Sequence, residues 1–365
     1  MKKVLFLVVA VVALLFTSCK KEFTITIQSN NEAWGSTVGS GTYAKGAEVS
    51  IGAIANSGYQ FVSWQDGDTE NPRTITVKTN ETYTATFASE SGGGEEPISA
   101  IFSVSETQKV YFSPGNLQWS AKGIHLVAGG GTAAGTWRFA PNQWDTIGKK
   151  NRNISYAYTG WIDLFGWVTS GYDNRYPYMT STNYADYGKE FYNVVGSNYD
   201  WGVYNAIYHP KTSIADTPGT WRTLTKDEWV YLLETRPTLS GIRYAKATVC
   251  GVAGLIIVPD SCTSTCYPLT NVNTSGTDFV SNIIGAPDWS KMEAIGCVFL
   301  PAAGDRFSNS VSRVGSIGTY WSANYAGADN AVNLYFDSSK LDISHYYSRD
   351  NRSCGKSVRL VRNAQ

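Results

Sequence analysis

The chain has 365 residues, and its 30 basic and 30 acidic side chains give a formal net charge of zero. Proteins that bind nucleic acid usually have an excess of basic residues, which this chain lacks, so we do not expect nucleic acid as a partner. Charged residues make up 16% of the chain, while Tyr contributes 23 residues, Trp 12 and Gly 35. This composition is typical of a loop-rich extracytoplasmic protein, because Tyr and Trp serve both polar cores and binding surfaces.

The N-terminus has the pattern of an export signal. Lys2 and Lys3 precede an unbroken apolar run over residues 4–16. A membrane-spanning helix requires roughly 20 apolar residues, so this shorter run fits the hydrophobic region of a secretory signal peptide. We therefore predict a signal peptide over residues 1–18.

Cys19 follows two small residues, Thr17 and Ser18. This order resembles the lipobox of bacterial lipoproteins, in which the cysteine is acylated and becomes the new N-terminus, although Phe16 departs from the aliphatic residue usual there. The resemblance implies a lipid anchor at Cys19, a short tether over residues 19–21, and an outer-membrane lipoprotein on the cell-surface or periplasmic side. An ordinary signal peptide with a chance cysteine is the alternative.

Residues 22–88 have the spacing of a small all-β unit. Residues 23–27 alternate between apolar and polar, as a half-buried strand does. Loops rich in Gly, Asp and Asn separate the later strand candidates, which is typical of an all-β module. Residues 89–98 then have the Gly, Ser and Glu composition of a flexible linker. The later strand candidates are 48–55, 59–64, 73–78 and 82–87.

The first module resembles the divergent form of the internalin B-type B-repeat. The markers are the Gly-Tyr-x-Phe-x-x-Trp motif over residues 58–64, the pair Asn71-Pro72 and the closing Phe87. The resemblance implies a spacer or adhesive module of a bacterial surface protein without a catalytic role. Tyr59, Phe61 and Trp64 could form a sugar platform, but a hydrophobic core is the favoured interpretation for so small a domain.

One helix is predicted in the second module, which spans residues 99–365. Thr225 and Glu228 form a capping box at its start, an apolar stripe continues to about residue 234, and Pro237 limits it. The rest of the module reads as strands and irregular loops. Strand candidates are 242–249, 255–258, 297–300, 319–322, 331–336 and 357–361.

Short segments of this module resemble two related families. Residues 221–229 are similar to a segment of the formylglycine-generating enzyme superfamily, and residues 299–304, 318–323 and 355–362 look like the close of the Fibrobacter-type major paralogous domain. The resemblance implies a C-type-lectin-like α+β domain rich in irregular loops. The expected fold class of the chain is therefore α+β, with a small all-β repeat domain first.

The sequence predicts no catalysis, no cofactor and no metal site. The related enzymes hold copper on a cysteine pair near the position of residues 318–324, where this chain has no cysteine. The three His residues are isolated, and a lone His is more often structural than catalytic. A diverged metallo-oxidase is the first alternative. A structural component of a surface assembly, such as a fimbria-like tip, is the second.

Two further sets of residues could hold a bond or an ion. Cys262 and Cys266 are separated by three residues, so they are a candidate disulfide, with free thiols as the alternative. The acidic residues Asp66, Asp68 and Glu70 resemble a calcium loop but lack its bidentate acid, which favours a solvated turn.

Aromatic residues crowd the segment from 161 to 204 without a clear period. They are candidates for a ligand-binding surface, with an irregular aromatic core as the alternative for each. The favoured function is a lipid-anchored, adhesin-like protein that binds an extracellular glycan or a protein ligand. The candidate ligand-binding residues are Trp161, Trp167, Tyr172, Tyr176, Tyr178 and Trp201.

Overall fold

The structure is a computed structural model. It describes residues 21–32, 34–56, 59–89, 98, 100–188, 193–209, 214–263, 267–343 and 348–364. The expected signal peptide, Cys19 and most of the 89–98 linker therefore lie outside the described residues. The chain divides into two compact units, residues 1–90 and 91–365. None of the helices in the described parts is both long and apolar enough to cross a membrane.

The described residues of the first unit form two sheets. One has the strand order β3-β1-β7-β5, in which β1 and β7 are parallel, and the other has the order β2-β4-β6. Period-two alternation turns Ile25 and Ile27 of β1 inward, as expected for a half-buried strand. The strands are β1 (Glu22–Ser29), β2 (Gly35–Val38), β3 (Gly41–Ala44), β4 (Glu48–Ala55), β5 (Tyr59–Trp64), β6 (Arg73–Thr76) and β7 (Glu81–Ser89).

The core of the first unit draws side chains from both sheets. Trp64 is 1% exposed, and its indole nitrogen donates to the Glu70 carbonyl at 2.9 Å. Phe61 packs against the same cluster, with its ring centroid 5.3 Å from that of Trp64. These two aromatic side chains of the repeat motif thus pack the interior. The side chain of Tyr59 lies outside the described set.

The described residues of the second unit form five small sheets. Their orders are β14-β25-β9-β8, β10-β11-β12-β13, β17-β15-β16-β18, β19-β20 and β21-β22-β23, with β24 paired to β22. The strands are β8 (Phe102–Ser103), β9 (Lys109–Phe112), β10 (Leu117–Leu126), β11 (Thr132–Phe139), β12 (Ile207–Tyr208), β13 (Ala215–Asp216), β14 (Arg222–Thr223), β15 (Tyr244–Val249), β16 (Val252–Ile257), β17 (Ile283–Ile284), β18 (Val298–Pro301), β19 (Asp305–Phe307), β20 (Ser310–Ser312), β21 (Gly318–Tyr325), β22 (Asn330–Phe336), β23 (Leu341–Asp342), β24 (Arg349–Asn351) and β25 (Leu360–Asn363).

Helices are short in the second unit. The α-helices are α1 (Trp201–Tyr204), α2 (Lys226–Val230) and α3 (Ala286–Ala294). The capping box of α2 is present, since the Thr225 hydroxyl accepts from the Glu228 amide and the Glu228 carboxylate accepts from the Thr225 amide. The helix then continues as a single π-helical turn over Tyr231–Thr235. Short 3-10 segments lie at Gly148–Asn153, Tyr172–Asn174, Tyr184–Tyr187 and Phe279–Ser281.

The predicted α+β class is wrong. The described residues are 40% strand and only 12% helix, arranged in many small sheets, so the fold is mainly β. The capping box identifies a real helix start, but α2 has one regular turn and contributes little helix. The α+β class also came from a family resemblance, which the backbone does not follow.

Tight turns explain part of this β content. Cys250 and Gly251 connect β15 to β16, and both have positive φ, at 50° and 81°. Two central residues with positive φ are what a two-residue type I′ hairpin turn requires. Behind this hairpin, Trp289 of α3 packs against Phe299 of β18. A separate cluster of buried residues in the second unit is rich in Trp and includes Trp119, Trp167 and Trp201.

Candidate functional site

Half-exposed tyrosines gather where the 3-10 segment Tyr172–Asn174 meets α1. The ring centroid of Tyr172 lies 5.0 Å from that of Tyr199 and 5.3 Å from that of Tyr204, both edge to face. Tyr176 and Tyr178 stack with centroids 5.1 Å apart and planes within 3°. We call these five residues the tyrosine patch.

The two halves of the tyrosine patch meet at consecutive residues, because the Tyr199 hydroxyl donates to Asp173 and the Tyr176 hydroxyl donates to Asn174. Partial burial raises the pKa of Tyr204, and the neighbouring Tyr172 and Tyr176 hydroxyls raise that pKa further. Beneath the patch, Tyr178 packs on Trp119, a core residue 2% exposed, with ring centroids 5.5 Å apart. The patch is therefore attached to the aromatic core through Tyr178.

Polar groups of three consecutive residues surround these rings. The Tyr199 hydroxyl donates to the Asp173 carboxylate at 3.0 Å, and the Tyr176 hydroxyl donates to the Asn174 side-chain carbonyl at 2.9 Å. Arg175 pairs with Asp173 and lies 5.0 Å from the Tyr199 ring centroid. The Arg175 hydrogen bond holds the pKa of the exposed Asp173 below its ordinary value. The patch thus offers apolar ring faces beside a carboxylate, an amide and a guanidinium.

The backbone under the patch is strained. Val168, Asp173 and Asn174 have φ of 60°, 50° and 60°, in the left-handed region that L-residues rarely adopt. The β-branched Val168 carries the clearest cost, on the order of 1–3 kcal/mol, whereas Asp and Asn adopt this region more readily. The Asn205 side chain supports the segment by donating to the Ser170 carbonyl at 2.9 Å. The surrounding structure therefore holds Val168 in an unfavourable backbone conformation.

Two of the six predicted ligand-binding residues are not at the surface. Trp167 and Trp201 are both 0% exposed and belong to the aromatic core. Trp167 donates its indole N–H to the Ser322 carbonyl at 3.0 Å, and the Arg352 guanidinium lies 5.1 Å from its ring centroid. Neither residue presents a face to a ligand, because their large apolar rings fill the interior between irregular loops.

The remaining four predicted residues are half-exposed or exposed. Tyr172, Tyr176 and Tyr178 meet in the tyrosine patch, whereas Trp161 stacks with Arg138 elsewhere, and none of the ring contacts between described residues joins it to the patch. Sequence reasoning did not select Tyr199 and Tyr204. For Tyr204 a signal existed, because Asp200 is an N-cap residue placed just before the single turn that ends at Tyr204.

Asp200 is the buried acid that holds α1 in place. Its carboxylate accepts from the Thr223 amide at 2.9 Å and the Thr223 hydroxyl at 2.8 Å. Burial nevertheless raises the pKa of Asp200 to about 6. Since the folded pKa exceeds the unfolded value, the folded state binds more protons, and this group stabilises the fold as pH falls from above 6 towards 4.

We therefore expect Asp200→Asn to remove the stability that the wild type gains on acidification. Urea unfolding between pH 4 and 7 measures it: the free energy of unfolding of the variant should gain less on acidification than that of the wild type, by roughly 1–3 kcal/mol. Asp173→Asn is the matched control. The pKa of Asp173 is lowered, so its contribution to the free energy of unfolding is lost, not gained, as the pH falls. An unchanged pH profile for Asp200→Asn contradicts the assignment.

The acidic loop and the cysteines are the other positions at which the sequence suggested an ion or a bond. No group of three His, Cys, Asp or Glu side chains in the described parts of the chain could hold a metal ion. In the acidic loop, the Arg73 guanidinium lies 2.8 Å from the Asp66 carboxylate and 3.1 Å from that of Asp68. Cys262 is disulfide-bonded, while Cys266 lies outside the described residues. Among the described cysteines, Cys250, Cys297 and Cys354 are free.

Comparison with known proteins gives one match. Residues 25–91 match the family model of the divergent InlB B-repeat domain. This confirms the predicted repeat in the first unit and covers no part of the tyrosine patch. No curated protein and no solved structure matches the chain.

Proposed function

We propose that this protein is a non-catalytic lipoprotein of the outer membrane, anchored through Cys19, that binds a glycan with its tyrosine patch. In this proposal the InlB-type repeat acts as a spacer between the lipid and the binding unit. The observation that carries the binding role is the tyrosine patch, with its polar neighbours and its strained support. The export pattern before Cys19 and the repeat match support the surface location.

The chemistry of the patch favours a sugar. A sugar ring has apolar C–H faces and a rim of hydroxyls, so it is complemented by aromatic faces with polar groups at their edges. Tyr176 and Tyr178 supply stacked flat rings, and Asp173, Asn174 and Arg175 supply acceptors and donors beside them. Because the rings are already ordered, little further conformational entropy is lost on binding.

In the second unit, the segment that resembles the formylglycine-generating enzymes (residues 221–229) and the segments that resemble the related major paralogous domain contact one another. Arg222 pairs with Val361 between β14 and β25, and the Trp321 amide donates to the Ser357 carbonyl at 3.0 Å. The Arg222 guanidinium forms two hydrogen bonds with the Glu228 carboxylate, at 2.8 and 2.7 Å. These contacts support a relationship to that family as part of the proposal, without the α+β fold first expected.

A glycan array with the full chain, purified in detergent, tests the binding role. We expect binding to a defined set of glycans, and a loss of about ten-fold or more in affinity for Tyr172→Ala and for Tyr176→Ala, since each truncation removes an aromatic contact. Tyr156→Ala is the control, because Tyr156 is 77% exposed and lies outside the patch. Binding that survives both patch substitutions, or that is confined to protein ligands, would overturn the proposal.

A further inference from the structure

A second surface feature lies on the sheet formed by β10, β11, β12 and β13. Strand pairing places Gln118, Arg138 and Tyr208 side by side across three strands. Paired residues share one face of a sheet, and successive residues of a strand point to opposite faces. Because Trp137 and Phe139 are core residues, Arg138 points away from that core.

The Arg138 guanidinium is held in one orientation. Its carbon lies 3.7 Å from the ring centroid of Trp161, which is the shortest cation–ring distance found among the described residues. Its Nε donates to the Gln118 side-chain carbonyl at 2.9 Å, and Gln118 is itself only 1% exposed. The stack and this hydrogen bond fix the plane of the guanidinium and leave its two terminal nitrogens for another partner.

Within the described chain, Arg138 has no carboxylate at ion-pair distance and no hydrogen bond from its terminal nitrogens. Burial lowers the pKa of Arg138, and Asp145 opposes this through charge alone. Asp145 accepts instead from the Asn142 amide, at 2.9 Å. By contrast, Arg222 and Arg236, which are similarly or more deeply buried, each pair with an acid.

We propose that Arg138 and Trp161 form an anion-binding subsite that receives the carboxylate of a uronic-acid sugar. A fixed guanidinium presents parallel N–H groups that match the two oxygens of a planar carboxylate. Partial burial strengthens this pairing, because a lower local dielectric screens charge less. The half-buried Trp161 and Tyr208 beside it suit a sugar ring better than a flexible acidic peptide. This subsite rests on the proposed glycan-binding function and names its ligand class.

Calorimetric titration of the full chain in detergent tests the subsite. The probes are hexamers of galacturonate, mannuronate and hyaluronan, each with its methyl-esterified counterpart, which keeps the sugar and removes the charge. We expect at least one acid form to bind about ten-fold or more tightly than its ester, and Arg138→Gln to abolish that preference. Arg138→Lys should lose most of it, because an ammonium lacks the planar fork.

The controls separate this inference from the proposed function. Arg349→Gln removes one exposed positive charge elsewhere in the same unit and should leave the preference unchanged. Tyr172→Ala and Tyr176→Ala should weaken acid and ester forms alike. Neutral glycans that bind without any preference for acid forms would overturn the subsite and leave the tyrosine patch standing. A stronger response to dextran sulfate or to penta-glutamate than to every uronate would also overturn it.

Discussion

Asp260→Ala is expected to lower the free energy of unfolding by about 3–5 kcal/mol, because it leaves a buried guanidinium without its counter-charge. Arg236 is 0% exposed, and one of its terminal nitrogens lies 2.5 Å from the Asp260 carboxylate. The same carboxylate accepts from the Ser103 amide and hydroxyl, at 2.9 and 2.6 Å. Asp260, which follows β16, therefore connects Ser103 of β8 with Arg236, the residue directly after the π-helical turn.

Urea unfolding followed by tryptophan fluorescence measures this effect. The signal reports mainly on the second unit, since all Trp residues except Trp34 and Trp64 belong to it. Adding Arg236→Met to Asp260→Ala should recover part of the loss, because the double variant no longer buries an unpaired charge. Asp288→Ala is the matched control: its pair with Lys291 is exposed and should contribute less than about 1 kcal/mol. A loss as small as the control's would contradict the prediction.

Cys19→Ala is expected to move the protein from the membrane fraction to the soluble fraction. The predicted anchor acts by apolar burial of acyl chains, at about 0.8 kcal/mol for each buried methylene, and two or more chains hold stably. Fractionation of cells measures the shift, and intact mass of the membrane form detects the acyl chains. Cys354→Ala is the control, because Cys354 is a free thiol in the folded second unit.

Two results of the Cys19→Ala experiment would contradict the predicted lipid anchor. A Cys19→Ala variant that stays with membranes, or a wild-type chain of unacylated mass, would remove the anchor from the proposal. Protease treatment of intact cells then separates the two sides of the outer membrane. Digestion of the second unit in unbroken cells indicates the cell surface, and protection indicates the periplasmic side.

The strands of the first unit were easier to predict from the sequence than those of the second. The bounds predicted for β4 and β5 are the ones that the structure has, because loops rich in Gly, Asp and Asn separate the strand candidates of this unit. In the second unit, β12, β13 and β14 have two residues each. Such strands are too short to carry a period, and their pairing with other strands defines them.

The candidate site was predictable in residue type but not in position. Trp167 and Tyr172 stand in the same aromatic stretch, yet one is fully buried and the other is at the surface. Only the packing of distant loops decides between these outcomes. Arg138 could not have been selected either, since its significance lies in the lack of a carboxylate partner among the described residues, and a sequence does not show which charges meet.

Arg73 gives the acidic loop of the first unit an internal counter-ion. Its guanidinium holds the pKa of Asp66 below the ordinary value, chiefly through a hydrogen bond, and also lies 5.7 Å from the Trp64 ring centroid. The loop is therefore closed by a cation that the chain encodes, and chelators cannot remove it. Acid strong enough to protonate Asp66 should weaken this pair, because the carboxyl group then loses its negative charge.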